Sequence, residues 1–207
     1  MKNTCLPAGR SNEDKLFDIY LRELTEWNKK FNLTSVDDPA QIKVRHFEDS
    51  LSILQAIDLT NQYVADVGAG AGFPGIPLKI VRPDLTLVLI EATRKKVDFL
   101  NHVIGALKLE KTVAVWGRAE QLNREEKYKE KFDVVVSRAV SKLPELCGYC
   151  IPFLKKGGIF AAMKQEQVEE ELSLAKDRLI KLSAAVKMIK KVTVGGIIRS
   201  IVLIEKL

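Results

Sequence analysis

A glycine-rich stretch at the end of an apolar segment constrains the fold of this chain more than any other feature. Residues 66–75 read Asp-Val-Gly-Ala-Gly-Ala-Gly-Phe-Pro-Gly. They overlap the end of the apolar segment Tyr63–Val67. Glycine has no Cβ, so its backbone can turn tightly and come close to a ligand. Loops of this kind join the first strand and the first helix of α/β sheets and bind nucleotides there. The stretch therefore predicts a nucleotide-cofactor site.

The chain beyond this loop alternates between strand-like and helix-like segments, which is typical of an α/β sheet with right-handed crossovers. Gly195-Gly196 separates the last two strands without a helix between them, which predicts a hairpin. We expect a mostly parallel sheet with an antiparallel C-terminal edge and seven strands, at Tyr63–Val67, Leu85–Ile90, Thr112–Trp116, Phe132–Ser137, Ile159–Met163 after a turn at Gly157-Gly158, Val186–Val194 and Arg199–Glu205. The expected helices are Pro77–Val81, Thr93–Leu107, one ending near Phe153, and Gln165–Lys181.

Two helices precede the first strand and form a predicted N-terminal helical cap, residues 1–60, on a main domain of residues 61–207. Ser11-Asn-Glu-Asp14 has the pattern of a capping box, with Asp14 where Glu or Gln is usual. Asp37-Asp38-Pro39 predicts the start of the second helix, because proline is favoured at the first helical position.

Details of the glycine loop favour S-adenosylmethionine over a dinucleotide. The glycines are spaced G-x-G-x-G, and Pro74 and Pro77 are expected to interrupt the helix start on which a pyrophosphate would sit. S-adenosylmethionine has no phosphate but carries a cationic sulfonium. Asp66 can attract that positive charge or bond the loop backbone, and the two roles are compatible. Asp66, Gly68 and Gly70 are the predicted cofactor residues of this loop.

Further candidates follow the next strands, because the carboxyl ends of parallel strands meet at one edge of a sheet. Glu91 lies 23 residues after Gly68, near the spacing at which an acid binds ribose hydroxyls. Ala119 and Glu120 follow the third strand and could meet an adenine amino group. Arg138 follows the fourth strand and could bind the cofactor carboxylate or a phosphate. Each also has a purely structural alternative. Glu91 could be a surface acid at a strand end, Ala119 and Glu120 part of a capped loop, and Arg138 an ion-pairing arginine.

Positive charge is concentrated in the predicted main domain. The chain carries a formal charge of +6, with 8 Lys and Arg against 10 Asp and Glu in residues 1–60 and 25 against 17 in residues 61–207. A basic domain favours polyanionic partners, because each neutralised phosphate releases counterions. Charge alone is weak evidence, since many soluble proteins are mildly basic.

The remaining features indicate a cytoplasmic enzyme without a metal. The N-terminus lacks the apolar region of a signal peptide, and no apolar run approaches a membrane span. The three cysteines, Cys5, Cys147 and Cys150, do not suit a disulfide scaffold. Cys147 and Cys150 form a C-x-x-C, which we assign to helix packing rather than zinc or redox chemistry.

Six motifs in this order resemble the bacterial glucose-inhibited division protein B family. The similarity covers roughly residues 27–204, and the Gly-Phe-Pro-Gly-Ile-Pro run after an Arg-His-Phe motif is very specific. The motifs are Arg45-His-Phe-Glu-Asp-Ser-Leu51, residues 66–78, Lys95-Lys-Val-Asp-Phe-Leu100, Gly117-Arg-Ala-Glu120, residues 132–139 and Ala162-Met-Lys164.

The resemblance implies the Rossmann-like fold of class I S-adenosylmethionine-dependent methyltransferases. It also implies methylation of N7 of a guanine in the 530 loop of 16S rRNA (position 527). We expect that rRNA to be within the 30S subunit or an assembly intermediate, and a monomer is the default expectation for the protein. The implied cofactor contacts are Gly68, Phe73, Ala119, Glu120 and Arg138, with Phe73 walling the pocket. Gln165 stands where the family usually has glycine, which changes the expected loop after the fifth strand.

The resemblance also places several polar residues where RNA would bind. Arg45, His46, Asp49 and Ser50 would lie on a helix at the cofactor edge and position the RNA, while Arg45, Arg138 and Lys164 are candidate RNA contacts. Guanine N7 has a free lone pair and needs no general base, so positioning can supply most of the catalysis. We accordingly favour a structural role for His46 over acid–base chemistry.

Two other functions remain open from the sequence alone. One is a methyltransferase of the same fold that acts on a small molecule or a protein. The other is a non-catalytic nucleotide-binding module, for NAD for instance.

Overall fold

A computed structural model describes residues 11–207, so Cys5 and the expectation of no signal peptide lie outside the described residues. Helix α1 (Asn12–Phe31) begins at the predicted capping box. The Ser11 hydroxyl accepts a hydrogen bond from the Asp14 amide at 3.2 Å, and Asp14 Oδ2 accepts one from the Ser11 amide at 3.0 Å. The helix ends at Asn32, whose backbone is left-handed with φ of 49°. The predicted start of this element is thus confirmed.

The second helical segment starts at Pro39 as predicted, but it is not a regular α-helix. Asp38 caps it by accepting from the Gln41 amide at 2.8 Å. It consists of four short segments of three helix types: α2 (Pro39–Ile42), a π-helical stretch (Lys43–Glu48), α3 (Asp49–Leu51) and a 3₁₀ turn (Ser52–Gln55). The π-helical stretch carries Arg45 and His46, and such stretches are frequent at functional sites.

A single seven-stranded sheet forms the centre of the described chain, in the order β3-β2-β1-β4-β5-β7-β6. The first five strands pair in parallel and β7 pairs antiparallel with both β5 and β6, as expected. The strands are β1 (Tyr63–Val67), β2 (Thr86–Glu91), β3 (Thr112–Trp116), β4 (Phe132–Arg138), β5 (Leu154–Gln165), β6 (Ala184–Val194) and β7 (Ile197–Lys206).

The later helices cover the two faces of the sheet. They are α4 (Gly75–Val81), α5 (Arg94–Ala106), α6 (Ala119–Leu122), α7 (Leu143–Cys150), continued by a 3₁₀ turn to Phe153, and α8 (Glu169–Lys181). The prediction that Pro74 and Pro77 interrupt the start of the helix after the glycine loop is wrong, because α4 starts at Gly75 and contains Pro77 in its first turn. Amides of a first turn have no partner within the helix, so proline costs little there.

Strand β5 is longer at both ends than the sequence indicates. Gly157-Gly158 is not a turn before the strand but an irregularity inside it, where the register against β4 shifts. At the other end, Gln165 pairs with Arg199 of β7. The prediction that a helix begins at Gln165 is therefore wrong, because antiparallel pairing with β7 extends the strand and α8 begins only at Glu169.

The core has two parts, one on each face of the sheet. On one face, the N-terminal helices pack against α4 and α5, and the cluster there includes Phe17, Tyr20 and Ile76. On the other, α7 and α8 cover the strands. Cys147 and Cys150 are free and fully buried there, which confirms the assignment of this pair to packing. No helix in residues 11–207 is long and apolar enough to cross a membrane.

Candidate functional site

The glycine loop forms one side of a cavity of about 430 Å³ at the carboxyl ends of the central strands. The opposite walls come from the segment after α1, from the end of β2 and from the turn after β4. The lining residues are Leu33, Thr34, Ser35, His46, Gly68, Ala69, Gly70, Ala71, Phe73, Glu91, Ala92, Lys96, Arg138, Ala139 and Val140.

Backbone conformation explains why the loop needs glycine at two positions. Gly72 has φ of 101°, and a Cβ there would meet the Ile76 side chain at 2.5 Å and the Tyr20 hydroxyl at 2.7 Å. Gly70 has φ of 60°, but its Cβ would meet only the Gly68 carbonyl, at 3.9 Å. Gly72 thus packs the loop onto the core, while Gly70 leaves open space beside the cavity.

Asp66 supports the loop from beneath. It is fully buried and does not line the cavity, and its Oδ2 accepts from the Gly75 amide at 2.7 Å. Its Oδ1 has no hydrogen-bond partner among residues 11–207. Burial raises the pKa of this carboxyl to about 7. Of the two roles predicted for Asp66, the structure shows the hydrogen bond to the loop backbone.

Glu91 holds the loop from the end of β2. Its Oε2 accepts from the Gly70 amide at 2.9 Å and its Oε1 from the Thr93 amide at 2.8 Å. Each carboxylate oxygen has a second lone pair, so both can still accept from hydroxyl groups in the cavity. Glu91 therefore lies where an acid for ribose hydroxyls was predicted.

Ala119 and Glu120 lie elsewhere. Both belong to the short helix α6, and neither lines the cavity of the glycine loop. Glu120 is exposed and lines a separate depression of about 390 Å³ together with Arg178 of α8. Glu120 therefore lines a different depression from the predicted cofactor residues Glu91 and Arg138.

Arg138 joins the sheet to the π-helical stretch. Its Nη1 donates to Asp49 Oδ2 at 2.8 Å and to the Arg45 carbonyl at 3.0 Å. Asp49 Oδ1 accepts from Arg199 Nε at 3.2 Å, so one carboxylate bridges two arginines. The side chains of Asp49 and Arg138 are only 6% and 14% exposed. The pair is thus largely removed from water, and the arginine is fixed in place.

His46 is a neutral, positioned side chain. Its Nδ1 lies 3.1 Å from Arg138 Nη2 and 3.1 Å from the Arg45 carbonyl. Its Nε2 lies within hydrogen-bond distance of Thr34 Oγ1, at 2.8 Å. Burial and the Arg138 charge lower the pKa of His46 to about 4. The ring stacks on Phe73 with 4.7 Å between centroids, which fixes it at the cavity wall.

A second cavity of about 280 Å³ adjoins the first and shares His46, Arg138 and Ala139 with it. Its lining is mostly charged or polar. The remaining members are Val36, Arg45, Asp49, Met163, Lys164, Gln165, Glu171 and Arg199. Arg45 is exposed, whereas Lys164 is held by the Ser141 carbonyl at 2.9 Å and by Glu171 Oε2 at 2.8 Å. Ser50 is buried and donates to the His46 carbonyl at 2.5 Å.

Two charged residues of this second cavity, Arg199 and Glu171, were not predicted as site residues from the sequence. Arg199 lies on β7 and also donates to Gln165 Oε1 at 2.6 Å, and Glu171 lies in the first turn of α8. The pairing of the last strand with β5 brings Arg199 to the site, and no local motif marks that pairing. Across residues 11–207, no group of three or more His, Cys, Asp or Glu could hold a metal.

Comparison with known proteins finds one family along most of the chain. The family model described as rRNA small subunit methyltransferase G matches residues 13–202. A relative of that name from Desulfitobacterium hafniense is 46% identical over 192 residues, 92% of this chain and 80% of the relative. Another from Clostridium kluyveri is 39% identical over 211 residues, covering 100% of this chain and 89% of the relative.

Solved structures share the fold. A SAM-dependent methyltransferase from Aquifex aeolicus matches with a TM-score of 0.61 at 18% identity, over 84% of this chain and 97% of that one. The sheet order, the antiparallel edge and this likeness confirm the predicted Rossmann-like class I methyltransferase fold.

Proposed function

Since the chain belongs to the rRNA small subunit methyltransferase G family, we propose that it transfers a methyl group from S-adenosylmethionine to N7 of a guanine in the 530 loop of 16S rRNA. The glycine-loop cavity binds the methyl donor, and the adjoining cavity receives the guanine. The observation that carries this proposal is the wall that the two cavities share, formed by His46, Arg138 and Ala139.

The first cavity suits S-adenosylmethionine in shape and chemistry. Gly70 leaves room for a ligand beside the loop backbone, where a Cβ would otherwise project. Glu91 offers carboxylate lone pairs for ribose hydroxyls, and Phe73 provides an apolar wall. Arg138 reaches this cavity too, as a cation for the carboxylate of the methionine part. When bound, the cofactor supplies an electrophilic methyl group on a cationic sulfonium.

The protein's contribution to the reaction is positioning. Guanine N7 is an unprotonated nitrogen that attacks the methyl carbon in line, so no residue has to remove a proton. His46 fits this requirement, because it is neutral at pH 7 and both ring nitrogens are engaged by Thr34 and Arg138. Because the reaction requires no proton transfer, we assign Arg45, His46, Asp49, Ser50 and Arg138 to positioning the RNA.

The substrate assignment is tested by mapping methylated bases in 16S rRNA. Cells that lack this protein should lose 7-methylguanosine from the 530 loop, and the purified protein should restore it in vitro. Persistence of that modification would rule out the substrate. Calorimetric titration with S-adenosylhomocysteine and with NAD tests the cofactor, since binding of NAD alone would favour a nucleotide-binding module.

The state of the RNA is a further part of this proposal. We propose that the substrate is the rRNA within the 30S subunit or an assembly intermediate, and that the protein acts as a monomer. The relatives' name refers to the ribosomal RNA of the small subunit, so it supports the RNA as substrate but not its assembly state. Comparing methylation rates on naked 16S rRNA and on 30S particles, with the protein's mass measured by light scattering, separates these possibilities.

A further inference from the structure

We propose that Glu171 is a specificity-determining residue that recognises the N1–H and 2-amino donors of the target guanine. This inference rests on the proposed function, since it places a guanine in the second cavity. It assigns a substrate contact to a side chain that no motif of the sequence marks.

The orientation of the base follows from the position of the methyl donor. With the donor in the first cavity, N7 of the guanine must point toward the wall of His46, Arg138 and Ala139. Guanine carries N7 on its five-membered ring, with O6 beside it and the donors of N1 and the 2-amino group farther away. Those donors therefore face the part of the second cavity that the first cavity does not share, where Lys164, Gln165 and Glu171 lie.

Glu171 is prepared to accept hydrogen bonds there. Its Oε2 accepts from the Leu143 amide at 2.5 Å and from Lys164 Nζ at 2.8 Å, which fixes the carboxylate. In the part of the chain that the structure describes, nothing hydrogen-bonds to Oε1. The Glu171 side chain is 25% exposed, so the carboxylate is partly withdrawn from water. A carboxylate oxygen has two lone pairs, enough for both N1–H and a 2-amino hydrogen.

The other acceptors in the second cavity, Gln165 and Asp49, are less suited to this contact. Gln165 Oε1 already accepts from Arg199 Nη1 at 2.6 Å. Both oxygens of Asp49 are bound by Arg138 and Arg199, and its side chain is only 6% exposed, so it is less accessible to a base than Glu171. Glu171 is thus the acid in this cavity with an oxygen available to a base. Lys164 Nζ makes two contacts and keeps a third N–H, which can donate to guanine O6.

A carboxylate at this position also explains a preference for guanine in chemical terms. Adenine presents an acceptor at N1, which would meet the negative charge of Glu171 unfavourably. Methylation at N7 makes the guanine ring cationic and its N1–H more acidic. A carboxylate that accepts from N1–H therefore interacts more strongly as the positive charge develops, which stabilises the transition state more than the ground state.

The test replaces the target guanosine with inosine, which lacks only the 2-amino group, in 16S rRNA assembled into 30S particles. For the wild-type protein we expect kcat/KM to fall by about tenfold or more, the effect of losing a hydrogen bond to a charged acceptor. For Glu171→Gln, guanosine and inosine should differ by less than about threefold. Glu170→Gln removes an exposed charge from the same helical turn and should keep the wild-type ratio.

The ratio within each variant separates recognition from a purely structural role, because loss of folding lowers both rates alike. If Glu171→Gln discriminates as strongly as the wild type, the inference is wrong. Glu171→Asp, which keeps the charge but shortens the reach, should also reduce the ratio and serves if the glutamine variant does not fold. Failure of the wild type to methylate guanosine would instead contradict the proposed function.

Discussion

One carboxylate, that of Asp49, connects three elements that are distant in sequence. It lies between Arg138 of β4 and Arg199 of β7 while belonging to the segment before the sheet. Removing this carboxylate would lower the stability of the fold, because it would leave the partly buried charges of Arg138 and Arg199 without a counter-charge. The wall between the two cavities therefore depends on a charge balance rather than on apolar packing.

Removing this carboxylate should destabilise the protein strongly. We expect Asp49→Ala to lower the free energy of unfolding by about 3 kcal/mol, as for other buried pairs that lose one partner. Asp18→Ala, which breaks an exposed ion pair with Lys43, is the control and should cost less than about 1 kcal/mol. Urea denaturation measures both, and equal losses would contradict this account of Asp49.

The two shifted pKa values at the site predict opposite pH effects on stability. His46 has a pKa of about 4 in the folded protein, below its ordinary 6.5, so its contribution is lost as the pH falls through this window. His46→Gln should reduce that loss by about 1–2 kcal/mol, allowing for solvent screening of a half-buried ring. Asp66 has a pKa of about 7, above its ordinary 3.8, so the folded protein loses stability as the pH rises toward 7.

Unfolding curves at pH 4.5, 5.5, 6.5 and 7.5 distinguish the two groups. The stability of Asp66→Asn relative to the wild type should increase with pH, whereas that of His46→Gln should decrease. A pH-independent difference for either variant would mean that the group titrates normally in the folded state.

At the scale of elements, the hairpin of β6 and β7 is attached to the π-helical stretch by a close contact at its turn. A Cβ on Gly195, where φ is 54°, would collide with the Val44 side chain. The neighbouring Gly196 has φ of 78°, but its Cβ would meet nothing within 4 Å. A side chain at either glycine would be strained by the left-handed backbone, and only at Gly195 would it also collide with a neighbour.

This pair makes a matched test. Gly195→Ala should cost about 1–3 kcal/mol more stability than Gly196→Ala, because only the first overpacks the contact with Val44. Combining Gly195→Ala with Val44→Ala should remove most of the difference. If the double variant is no better than Gly195→Ala alone, the turn does not transmit its packing to the π-helical stretch.

Elements governed by local rules were predictable from the sequence, while those governed by distant partners were not. The bounds of β1 and β3 and the capping box at Ser11 were predicted correctly, since each follows from neighbouring residues. The extension of β5 to Gln165 depends on β7, which arrives more than thirty residues later. The π-helical turns likewise have no local signal.

The candidate site divides in the same way. Glu91 was predicted beside the glycine loop because its position follows from strand order and loop spacing. Arg199 and Glu171 were missed because only the folded sheet brings them beside Arg138. Glu120 was predicted from its position after the third strand and from a family motif, yet it lies on the short helix α6 and lines another depression.

At the scale of the whole molecule, the uneven charge predicts how the protein responds to salt. Residues 61–207 carry the excess of positive charge, so binding to rRNA should weaken by more than about tenfold between 50 and 200 mM salt. Binding of S-adenosylhomocysteine should change by less than about threefold, since few charges are neutralised there. Filter binding and calorimetry give the two values.

A single-residue variant localises this effect. Arg45 is exposed at the second cavity, and Arg45→Gln should reduce the slope of log affinity against log salt by about 1. Arg118→Gln removes an exposed charge that lines neither cavity, and it should leave the slope unchanged. Equal slopes in the two variants would place the RNA elsewhere on the protein.

The position of β7 between β5 and β6 sets an order in which the site can be completed during synthesis. The lining of the glycine-loop cavity ends at Val140, whereas the second cavity needs Arg199 from the last strand. We expect a nascent chain to assemble the donor cavity while the guanine cavity is still open on one side. Pulse-labelled hydrogen exchange during refolding checks this, since the glycine loop should become protected before β7. The protein would thus acquire its cofactor before it can engage the ribosome.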